Sequence, residues 1–444
     1  MRKLLSLYIF FLIFLNNCSF DNKTGIWKEH NKNIIENAKS ENKTEKIFKK
    51  SEIFNREVES RDVVIVSKKI ENQNWLEYNL NQTNDISHLI YNNKKNRIFK
   101  SKKIGKNSHS IESTISEPLV YDNNILFSDL SGNIFKYSIN SKKILWKFNF
   151  YNKKFKNIPI KINLILLDNL IASDNLGYFY CINLDTGQII WAKNQGVPLT
   201  SELKSINQKI FLLNQDNKFY IFQTNNGKKI LDFETFPVIL KKNNKQTLAL
   251  DSRDNLYFVT SAGQVFSVNH QNYKINWLKN INVTDSSDEF GLFYSSPIIF
   301  KNSFVYISSS QTTMSINSLN GQTIWEIPFG TIIRPIISDN FIFLISEDGF
   351  LLNVNRKNGK IIWSKKLLKS KDTNIKKTGH VTSLFLMSDQ LFFTTKNGYF
   401  FFVNYENGEI INYSKVAKGF YSRPSLADGK IYIIDKSMNV LVFD

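Results

Sequence analysis

The residues able to do chemistry are spread thinly along this chain of 444 residues. The five histidines, at positions 30, 88, 109, 270 and 380, show none of the spacings at which metal ligands recur. Residues 251–255 carry two carboxylates but lack the further carboxylates and the glycine of an EF-hand loop, so we interpret them as a hairpin turn. Walker A, HExxH, Gly-x-Ser-x-Gly and Cys-x-x-Cys motifs are all absent. The sequence therefore predicts no catalytic residue, no cofactor-binding residue and no metal site.

The two cysteines indicate different roles. Cys18 follows an apolar run at residues 4–15, which is too short to span a membrane and is typical of a signal peptide. We expect a signal peptide at residues 1–17 and lipid attachment at Cys18. Asn17 departs from the small residue usual before a lipid-attachment cysteine, so ordinary signal cleavage remains the alternative. Cys181 lies in a predicted strand and is interpreted as a small buried core residue.

The next part of the chain has the composition of a solvated tether. Residues 18–72 are rich in Asn, Lys, Glu and Ser, with few aromatic residues and no repeat. Such a composition buries too little apolar surface to fold alone, so we predict a lipid-anchored polar linker there. Residues 62–66 are a candidate extra strand, with no predicted place.

A repeated phrase dominates the remainder of the chain. Copies at residues 118–146, 297–325 and 335–363 begin with Pro, contain short apolar strands separated by turns, and end with Trp. A Gly stands four residues before the Trp in the pairs Gly187/Trp191, Gly321/Trp325 and Gly359/Trp363. The repeat tryptophans are Trp146, Trp191, Trp277, Trp325 and Trp363, and the same position holds Leu231 and Asn412 in two further copies. Four short strands in about 42 residues, repeated in series, are the signature of a β-propeller.

The number of copies predicts how the ring closes. Seven copies are complete, and an eighth ends at Asp444 after three strands. An open blade would leave unpaired N–H and C=O groups along a strand edge, so the missing strand must come from elsewhere. Residues 97–100 precede the first copy and resemble its last strand. We therefore predict an all-β fold, an eight-bladed propeller at residues 73–444 whose last blade is closed by this N-terminal strand.

The charge of the chain does not by itself identify a partner. The formal net charge is +19, and Phe, Tyr and Trp together make up 14% of the residues. The aromatic residues fall at strand positions, where they would fill the interfaces between blades, and the lysines are scattered over turns. We therefore predict no nucleic-acid partner, although a positive surface favours proximity to anionic lipid headgroups.

The Gly-x-x-x-Trp tails resemble the quinoprotein-type propeller repeat of dehydrogenases that use pyrroloquinoline quinone (PQQ), and of their non-catalytic relatives. The resemblance covers residues 73–444 and implies that the tryptophans are structural. It also implies that an active enzyme would carry an adjacent pair of cysteines and a carboxylate set for calcium. This chain has no adjacent cysteines, so the resemblance does not carry the activity.

The segment before the first repeat narrows the resemblance. Residues 74–89, a Trp followed by an Asn-rich turn and His-Leu, are similar to the corresponding segment of the BamB family of outer-membrane assembly lipoproteins. That resemblance implies a non-enzymatic scaffold without a cofactor, anchored by lipid at the periplasmic face of the outer membrane. Its implied partners are the periplasmic domains of a BamA-like insertase, with unfolded outer-membrane proteins as further candidates. Two alternatives stay open, another lipid-anchored binding propeller and a PQQ-dependent dehydrogenase.

The loop after Trp277 is the candidate contact with a partner. It is the longest of the connections compared between repeats and ends with Phe290, Leu292, Phe293 and Tyr294. Apolar and aromatic residues on loops are typical anchors of protein interfaces. Phe293 and Tyr294 equally suit the buried start of the next strand, so Phe290 and Leu292 are the stronger candidates.

Overall fold

The structure is a computed structural model that describes residues 53–59, 62–106, 116–151, 155, 158–235, 245–281 and 293–444, together with the backbone of two short strands before them. Those strands, β1 (Cys18–Phe20) and β2 (Trp27–Glu29), pair antiparallel with Cys18 opposite Glu29. They belong to a compact unit, Met1–Ser51, and a second unit comprises Glu52–Asp444.

The second unit is an eight-bladed β-propeller, which confirms the predicted fold class. Each blade is a four-stranded antiparallel sheet whose strands follow one another along the chain, apart from the blade that contains both ends of the ring. The first strands of neighbouring blades contact each other, so these strands line the centre of the ring. A four-residue helix, α1 (Ile375–Thr378), lies between blades 6 and 7. Within the described residues, no helix has the length and apolar character needed to cross a membrane.

The strands are as follows. The closing strand is β3 (Arg97–Lys100). Blade 1 contains β4 (Leu119–Tyr121), β5 (Asn124–Ser128), β6 (Asn133–Ser138) and β7 (Lys143–Asn149). Blade 2 contains β8 (Ile162–Leu166), β9 (Leu170–Asp174), β10 (Tyr178–Ile182) and β11 (Ile189–Asn194). Blade 3 contains β12 (Lys204–Ile206), β13 (Lys209–Leu213), β14 (Phe219–Gln223) and β15 (Lys229–Phe233). Blade 4 contains β16 (Leu248–Leu250), β17 (Asn255–Val259), β18 (Gln264–Asn269) and β19 (Ile275–Asn280).

The second half of the ring repeats the pattern. Blade 5 contains β20 (Ile299–Lys301), β21 (Phe304–Ser308), β22 (Thr313–Asn317) and β23 (Thr323–Ile327). Blade 6 contains β24 (Ile336–Ser338), β25 (Phe341–Ile345), β26 (Phe350–Asn355) and β27 (Ile361–Lys366). Blade 7 contains β28 (Val381–Met387), β29 (Gln390–Thr395), β30 (Tyr399–Val403) and β31 (Ile410–Lys415). Blade 8 contains β32 (Ser425–Ala427), β33 (Lys430–Ile434) and β34 (Val440–Phe443), completed by β3.

The hairpin turns follow from short polar residues and glycine. In blade 1 the Asp129 carboxylate accepts hydrogen bonds from the backbone N–H groups of Ser131 and Asn133, both at 3.0 Å. Gly132, inside this turn, has a φ of +78°, a conformation that costs glycine little. The side chain therefore holds the turn together, and the glycine supplies the backbone angle that an L side chain resists.

The closing strand lies where the sequence predicted it. β3 pairs antiparallel with β34, with Arg97 opposite Phe443 and Lys100 opposite Leu441. The backbone N–H of Ser101 extends the pairing by donating to the Val440 carbonyl at 2.9 Å. The eighth blade thus joins the two ends of the ring, and its outer strand edge is formed by an N-terminal segment.

Each repeat tryptophan lies against a glycine of the next blade, an arrangement called here the staple pair. The pairs are Trp146–Gly187, Trp191–Gly227, Trp277–Gly321, Trp325–Gly359 and Trp363–Gly408. A Cβ atom added to Gly187 would lie 2.7 Å from the Trp146 ring, which leaves no space for a side chain. The recurring glycine is therefore required by the indole of the preceding blade as well as by its own turn.

The N-terminal segment covers the outer edge of blade 6. Val58 exchanges backbone hydrogen bonds with Ser364 of β27 at 3.2 and 2.9 Å. Ile362 on this strand is only 7% exposed, whereas Ile411, at the same repeat position in blade 7, is 50% exposed. Val64 is buried against the same blade, in the run that the sequence offered as an extra strand, although residues 62–69 form no strand. The predicted polar linker at 18–72 therefore extends too far, because apolar side chains attach the described residues between 53 and 72 to the propeller.

Candidate functional site

The centre of the ring is occupied by the chain itself. Residues 67–92, called here the axial segment, pair with blade 1 at Trp75, which exchanges two backbone hydrogen bonds of 2.8 Å with Val120. In blade 2 the Leu166 N–H donates to the Leu76 carbonyl at 2.8 Å. The segment therefore pairs with innermost strands directly, as an extra length of backbone on the inner edge of the sheets.

The same segment continues across blades 3, 4 and 5. The Gln82 side-chain amide donates to the Ser205 carbonyl at 2.7 Å, and the Gln82 carbonyl accepts from Leu250 N–H at 2.8 Å. The Thr83 carbonyl accepts from Phe300 N–H at 3.0 Å. Two adjacent residues thus reach three blades, which is possible only near the axis of the ring.

Blades 6, 7 and 8 complete the circle. Their hydrogen bonds with the axial segment are Ser67 N–H to Ser338 Oγ at 2.8 Å, Leu89 N–H to the Leu386 carbonyl at 3.0 Å, and Asp428 N–H to the Asn72 carbonyl at 2.7 Å. Every blade therefore contributes its innermost strand, or the turn directly after it, to holding residues 67–92. Since the axis is the one place that borders all eight innermost strands, the segment lies across it.

Asn84 lies at the crossing of several of these contacts. Its side-chain amide nitrogen is within hydrogen-bond distance of the Leu248 and Ile298 carbonyls, at 2.7 and 2.8 Å, and of Glu202 at 3.3 Å. The residue is fully buried and has a φ of +58°, a conformation that Asn tolerates better than most residues. Asn84 therefore ties blades 3, 4 and 5 to the axial segment.

Two buried glutamates accept hydrogen bonds from backbone N–H groups of this region. Glu117, immediately before Pro118, accepts from the Trp75 indole N–H and from Asn79 N–H, both at 3.0 Å. Glu202 accepts from Leu248 N–H at 2.5 Å, and burial raises the pKa of its carboxyl. Buried carboxylates are tolerated when donors surround them, and here the donors come from the axial segment and from blade 4.

Lys204 supplies the opposite charge. Its ammonium group lies 3.2 Å from Glu77 Oε2 and donates to the carbonyls of Tyr78 and Asn81 at 3.0 and 2.7 Å. Burial raises the pKa of Glu77, while the neighbouring Lys204 opposes that increase. Because Lys204 is completely buried, removing the Glu77 carboxylate would leave a buried charge without its counter-ion.

Tyr78 is enclosed by cations. The Lys245 ammonium group lies 3.6 Å from the centre of its ring, and Arg423 donates to its hydroxyl group. Burial raises the pKa of Tyr78 to about 12 and lowers the pKa of Lys245 to about 8. Tyr78 therefore stays neutral at neutral pH, and its ring face accommodates a cation through a cation–π contact.

His88 closes the segment at blade 7. Its Nδ1 lies 2.8 Å from the Ser67 carbonyl, and its Nε2 accepts from Asp389 N–H at 2.9 Å. This pattern requires a neutral ring with the proton on Nδ1, and burial lowers the pKa of His88 accordingly. The His-Leu of the segment at 74–89 is thus a structural contact.

Most charged groups on the axis are paired within the protein, as in a structural core, although Asn79 Oδ1, Asn84 Oδ1 and Asp85 Oδ1 are buried without a hydrogen-bond partner among the described residues. The carboxylates face backbone N–H groups and Lys204, and the cations face carbonyl oxygens or Tyr78. In the part of the chain that the structure describes, no three His, Cys, Asp or Glu side chains are grouped so that they could hold a metal ion. The chemistry of the axis is attachment of the N-terminal segment to the ring.

The predicted partner-binding residues fall into two groups. Phe290 and Leu292 lie outside the described residues. Phe293 is 8% exposed and packs in the core between blades 4 and 5, while Tyr294 is half-buried. Phe293 therefore cannot be an exposed contact, because it forms the buried entry to blade 5.

The other predicted residues have these positions. Cys18 lies in the short strand pair of the first unit. The repeat tryptophans occupy the outer strands, where Trp146, Trp277 and Trp325 donate their indole N–H groups to the carbonyls of Leu184, Ser318 and Arg356. The buried charged groups around the axial segment were not predicted from the sequence. One available signal was the recurrence of a charged residue directly before proline, at Glu117, Arg334 and Arg423.

Comparison with known families identifies the repeat. A family model described as "Outer membrane protein assembly factor BamB" matches residues 167–365 and 347–444 of this chain. The two matches together cover more than half of its length. The chain belongs to the BamB family.

Solved structures show the same fold at low sequence identity. BamB from Moraxella catarrhalis superposes with a TM-score of 0.63 at 13% identity, covering 79% of this chain and 99% of that one. A europium-containing methanol dehydrogenase has a TM-score of 0.61 at 12% identity, covering 81% of this chain and 89% of that one. A quinohemoprotein alcohol dehydrogenase from Comamonas testosteroni has a TM-score of 0.61 at 10% identity, covering 83% and 80%. No protein of curated function matches the chain by sequence. At these identities the BamB family shares its propeller with enzymes, so the fold alone does not separate a scaffold from a dehydrogenase.

Proposed function

We propose that this protein is a non-catalytic scaffold of the machinery that assembles β-barrel proteins into the outer membrane, where it assists their folding and insertion. The observation that carries the proposal is the match of residues 167–444 to the outer-membrane assembly factor family. A propeller suits a scaffold because its strands are committed to a rigid ring while its loops remain available for partners.

The proposed location is the periplasmic face of the outer membrane. A diacylglycerol group on Cys18 with an additional N-acyl chain would give the two-chain anchoring that stable membrane residence requires. The polar residues after Cys18 would then tether the propeller. Mass spectrometry of the mature N-terminal peptide tests this: acyl mass on Cys18 supports the anchor, and an unmodified peptide that begins at another residue rejects it.

The axial segment favours a scaffold over an enzyme. Trp75 is fully buried and Tyr78 nearly so, and the charged groups around them are engaged by the protein's own backbone. The chain also lacks the adjacent cysteines that the resemblance implies for PQQ enzymes. These observations support a centre built to hold residues 67–92 rather than a redox cofactor.

A PQQ-dependent dehydrogenase is the second candidate, since two such folds superpose on this one. It is tested by adding PQQ and calcium to the purified protein and following reduction of an artificial electron acceptor with alcohols and aldoses. We expect no reduction above background. Activity that depends on PQQ would replace the scaffold assignment.

The proposed partner is the periplasmic part of a BamA-like insertase, and the proposed contact is the loop between blades 4 and 5. Phe290→Asp combined with Leu292→Asp should weaken binding to the purified insertase domains by about 2 kcal/mol or more, as expected for loss of interface anchors. Binding is measured by calorimetry, and circular dichroism verifies that the fold is intact.

A matched control separates the loop from apolar surface in general. Leu319 is 62% exposed on a turn of blade 5, and Leu319→Asp should leave binding unchanged. Equal weakening by both variants would mean that the loop is not the specific contact. Failure of the unaltered protein to bind the insertase domains would reject the proposed function itself.

A further inference from the structure

A cavity of about 480 Å³ opens between the end of blade 7 and the closing strand of blade 8. Three separate parts of the chain supply its walls: the closing strand β3, the connection after β31, and the hairpin between β33 and β34. The charged residues of its lining are Arg97, Lys100, Lys415, Lys418, Lys436 and Asp435. Five cations from distant parts of the sequence therefore meet one carboxylate.

That carboxylate is already used by its own turn. Asp435 is 7% exposed and accepts from Ser437 N–H at 2.8 Å, from Asn439 N–H at 2.9 Å and from the Asn439 side-chain amide. Asp129 makes the same contacts in the corresponding turn of blade 1. Asp435 is therefore a feature of the repeat, and the hydrogen bonds that it accepts come from its own hairpin turn.

Four of the five cations have no acidic partner in the part of the chain that the structure describes. Within the described residues no carboxylate forms an ion pair with Arg97, Lys100, Lys415 or Lys418, and Lys415 lies 5.4 Å from the ring centre of Tyr399. Like charges gathered in one concave site repel each other and concentrate a positive potential there. This electrostatic cost would be offset by a bound anion.

A second lysine-lined cavity shows that lysines in the cavities of this propeller can have acidic partners. Its volume is about 570 Å³, and it lies between blades 6 and 7. There Lys366 pairs with Asp348, and Lys369 pairs with Glu57 at 2.7 Å. The lysines of that cavity are largely neutralised by the protein, whereas Lys100, Lys415 and Lys418 beside the closing strand are not.

We propose that the cavity beside the closing strand is a binding site for a phosphate group, carried either by a membrane lipid headgroup or by a soluble phosphate compound. Its volume suits a small anionic group. Arg97 provides a guanidinium fork that matches two phosphate oxygens, and the lysines add point charges. Val416, Ala417 and Leu441 give the site an apolar wall. This site is separate from the axial segment and from the loop between blades 4 and 5, and it does not depend on the proposed scaffold function.

The test uses two probes and two double variants of the whole chain. The probes are inorganic pyrophosphate, titrated by calorimetry, and vesicles of phosphatidylcholine with or without phosphatidylglycerol, measured by co-sedimentation. One variant carries Lys415→Glu and Lys418→Glu. The control carries Lys228→Glu and Lys274→Glu, exposed positions on blades 3 and 4, across the ring from blades 7 and 8. Both variants change the net charge equally.

We expect the unaltered protein to bind at least one probe, and the cavity variant to bind it about tenfold or more weakly, because each cation near an anionic surface contributes substantially. The control should change binding by about twofold at most, since distant surface charges are screened by salt. Binding of pyrophosphate would identify a soluble phosphate site, and a gain limited to phosphatidylglycerol vesicles would identify a lipid headgroup. Equal losses in both variants, or no binding of either probe, would overturn the proposal.

Discussion

Two interfaces between neighbouring blades solve the same packing problem differently. Between blades 4 and 5, Trp277 lies against Gly321, and a Cβ atom on that glycine would come within 2.9 Å of the indole. Between blades 3 and 4 the tryptophan position holds Leu231 and the glycine position holds Tyr273, and both side chains pack against the same core cluster. The larger residue has moved from one blade to the other.

The turns at the two interfaces have the same backbone conformation although their side chains differ. Tyr273 has a φ of +62°, close to the +74° of Gly321. Its N–H donates to Asn269 at 2.8 Å, just as the Gly321 N–H donates to Asn317 at 2.9 Å. The turn therefore tolerates a side chain when the preceding blade leaves space for it. Tryptophan and glycine act as one unit across the interface, so neither can be interpreted from its own blade alone.

The largest expected effect comes from combining the two solutions in one interface. Gly321→Tyr places a ring where the Trp277 indole lies and should reduce the free energy of unfolding by about 3 kcal/mol or more, through overpacking. The additional change Trp277→Leu should restore part of that loss. Denaturant unfolding of both variants measures the difference, and no recovery in the double variant would contradict the idea of a coupled unit.

The reverse change at the other interface should have a smaller effect. Leu231→Trp introduces an indole near Tyr273, and we expect a loss of about 1–3 kcal/mol because both residues are only half-buried and can shift outward. Tyr273→Gly in the same chain should make the tryptophan acceptable. Thermal unfolding would count against the coupling if the single and double variants melted at the same temperature.

The smallest effect concerns the indole hydrogen bond. Trp277 donates to the Ser318 carbonyl at 2.8 Å, whereas the indole nitrogen of Trp191 is buried without a partner. Trp277→Phe should therefore cost about 1 kcal/mol more than Trp191→Phe, the usual value of one hydrogen bond. Comparing the two variants by denaturant unfolding isolates this bond, since both lose a similar volume. Equal losses would show that packing alone holds the staple pair.

The repeat made the ring predictable from sequence. Alternating strands, positive-φ turns and the Gly-x-x-x-Trp spacing are local signals, so the structure of each copy can be predicted from its own sequence. The closing strand Arg97–Lys100 was predictable for a different reason, because the count of strands left one place empty. What repeats or is missing from a repeat can be recognised without an alignment.

The axial segment and the covered edge of blade 6 could not be predicted in the same way. Residues 67–92 have no periodicity, and their partners are distant in the sequence: Asn72 and Leu426, for example, are 354 residues apart. Residues 53–59 have the composition of a polar linker, and their attachment to the propeller depends on few residues. Phe54 packs against the core that includes blade 6, and Val58 pairs with Ser364 of that blade. Both segments are fixed by contacts with strands already formed, and such contacts leave little trace in local composition.

The candidate partner loop shows the limit of interpreting aromatic residues by position. Phe293 is attractive as an exposed anchor, but the same residue type at the entry to a blade fills the core. The sequence offered both interpretations, and burial decided for the second. Phe290 and Leu292 keep the role proposed for them, to be decided by the binding measurement.

The closing strand has a consequence for biosynthesis. Ser101 and Val440 are joined by a hydrogen bond although 339 positions separate them. A chain that emerges from its N-terminus onward holds β3 unpaired until the last blade has been made, and throughout that time both ends of the ring expose strand edges prone to aggregation. A polypeptide that stops before Val440 has no partner for β3 and keeps both edges open. Closure therefore makes solubility conditional on completion of synthesis. A prematurely terminated product differs from the finished protein by its exposed strand edges.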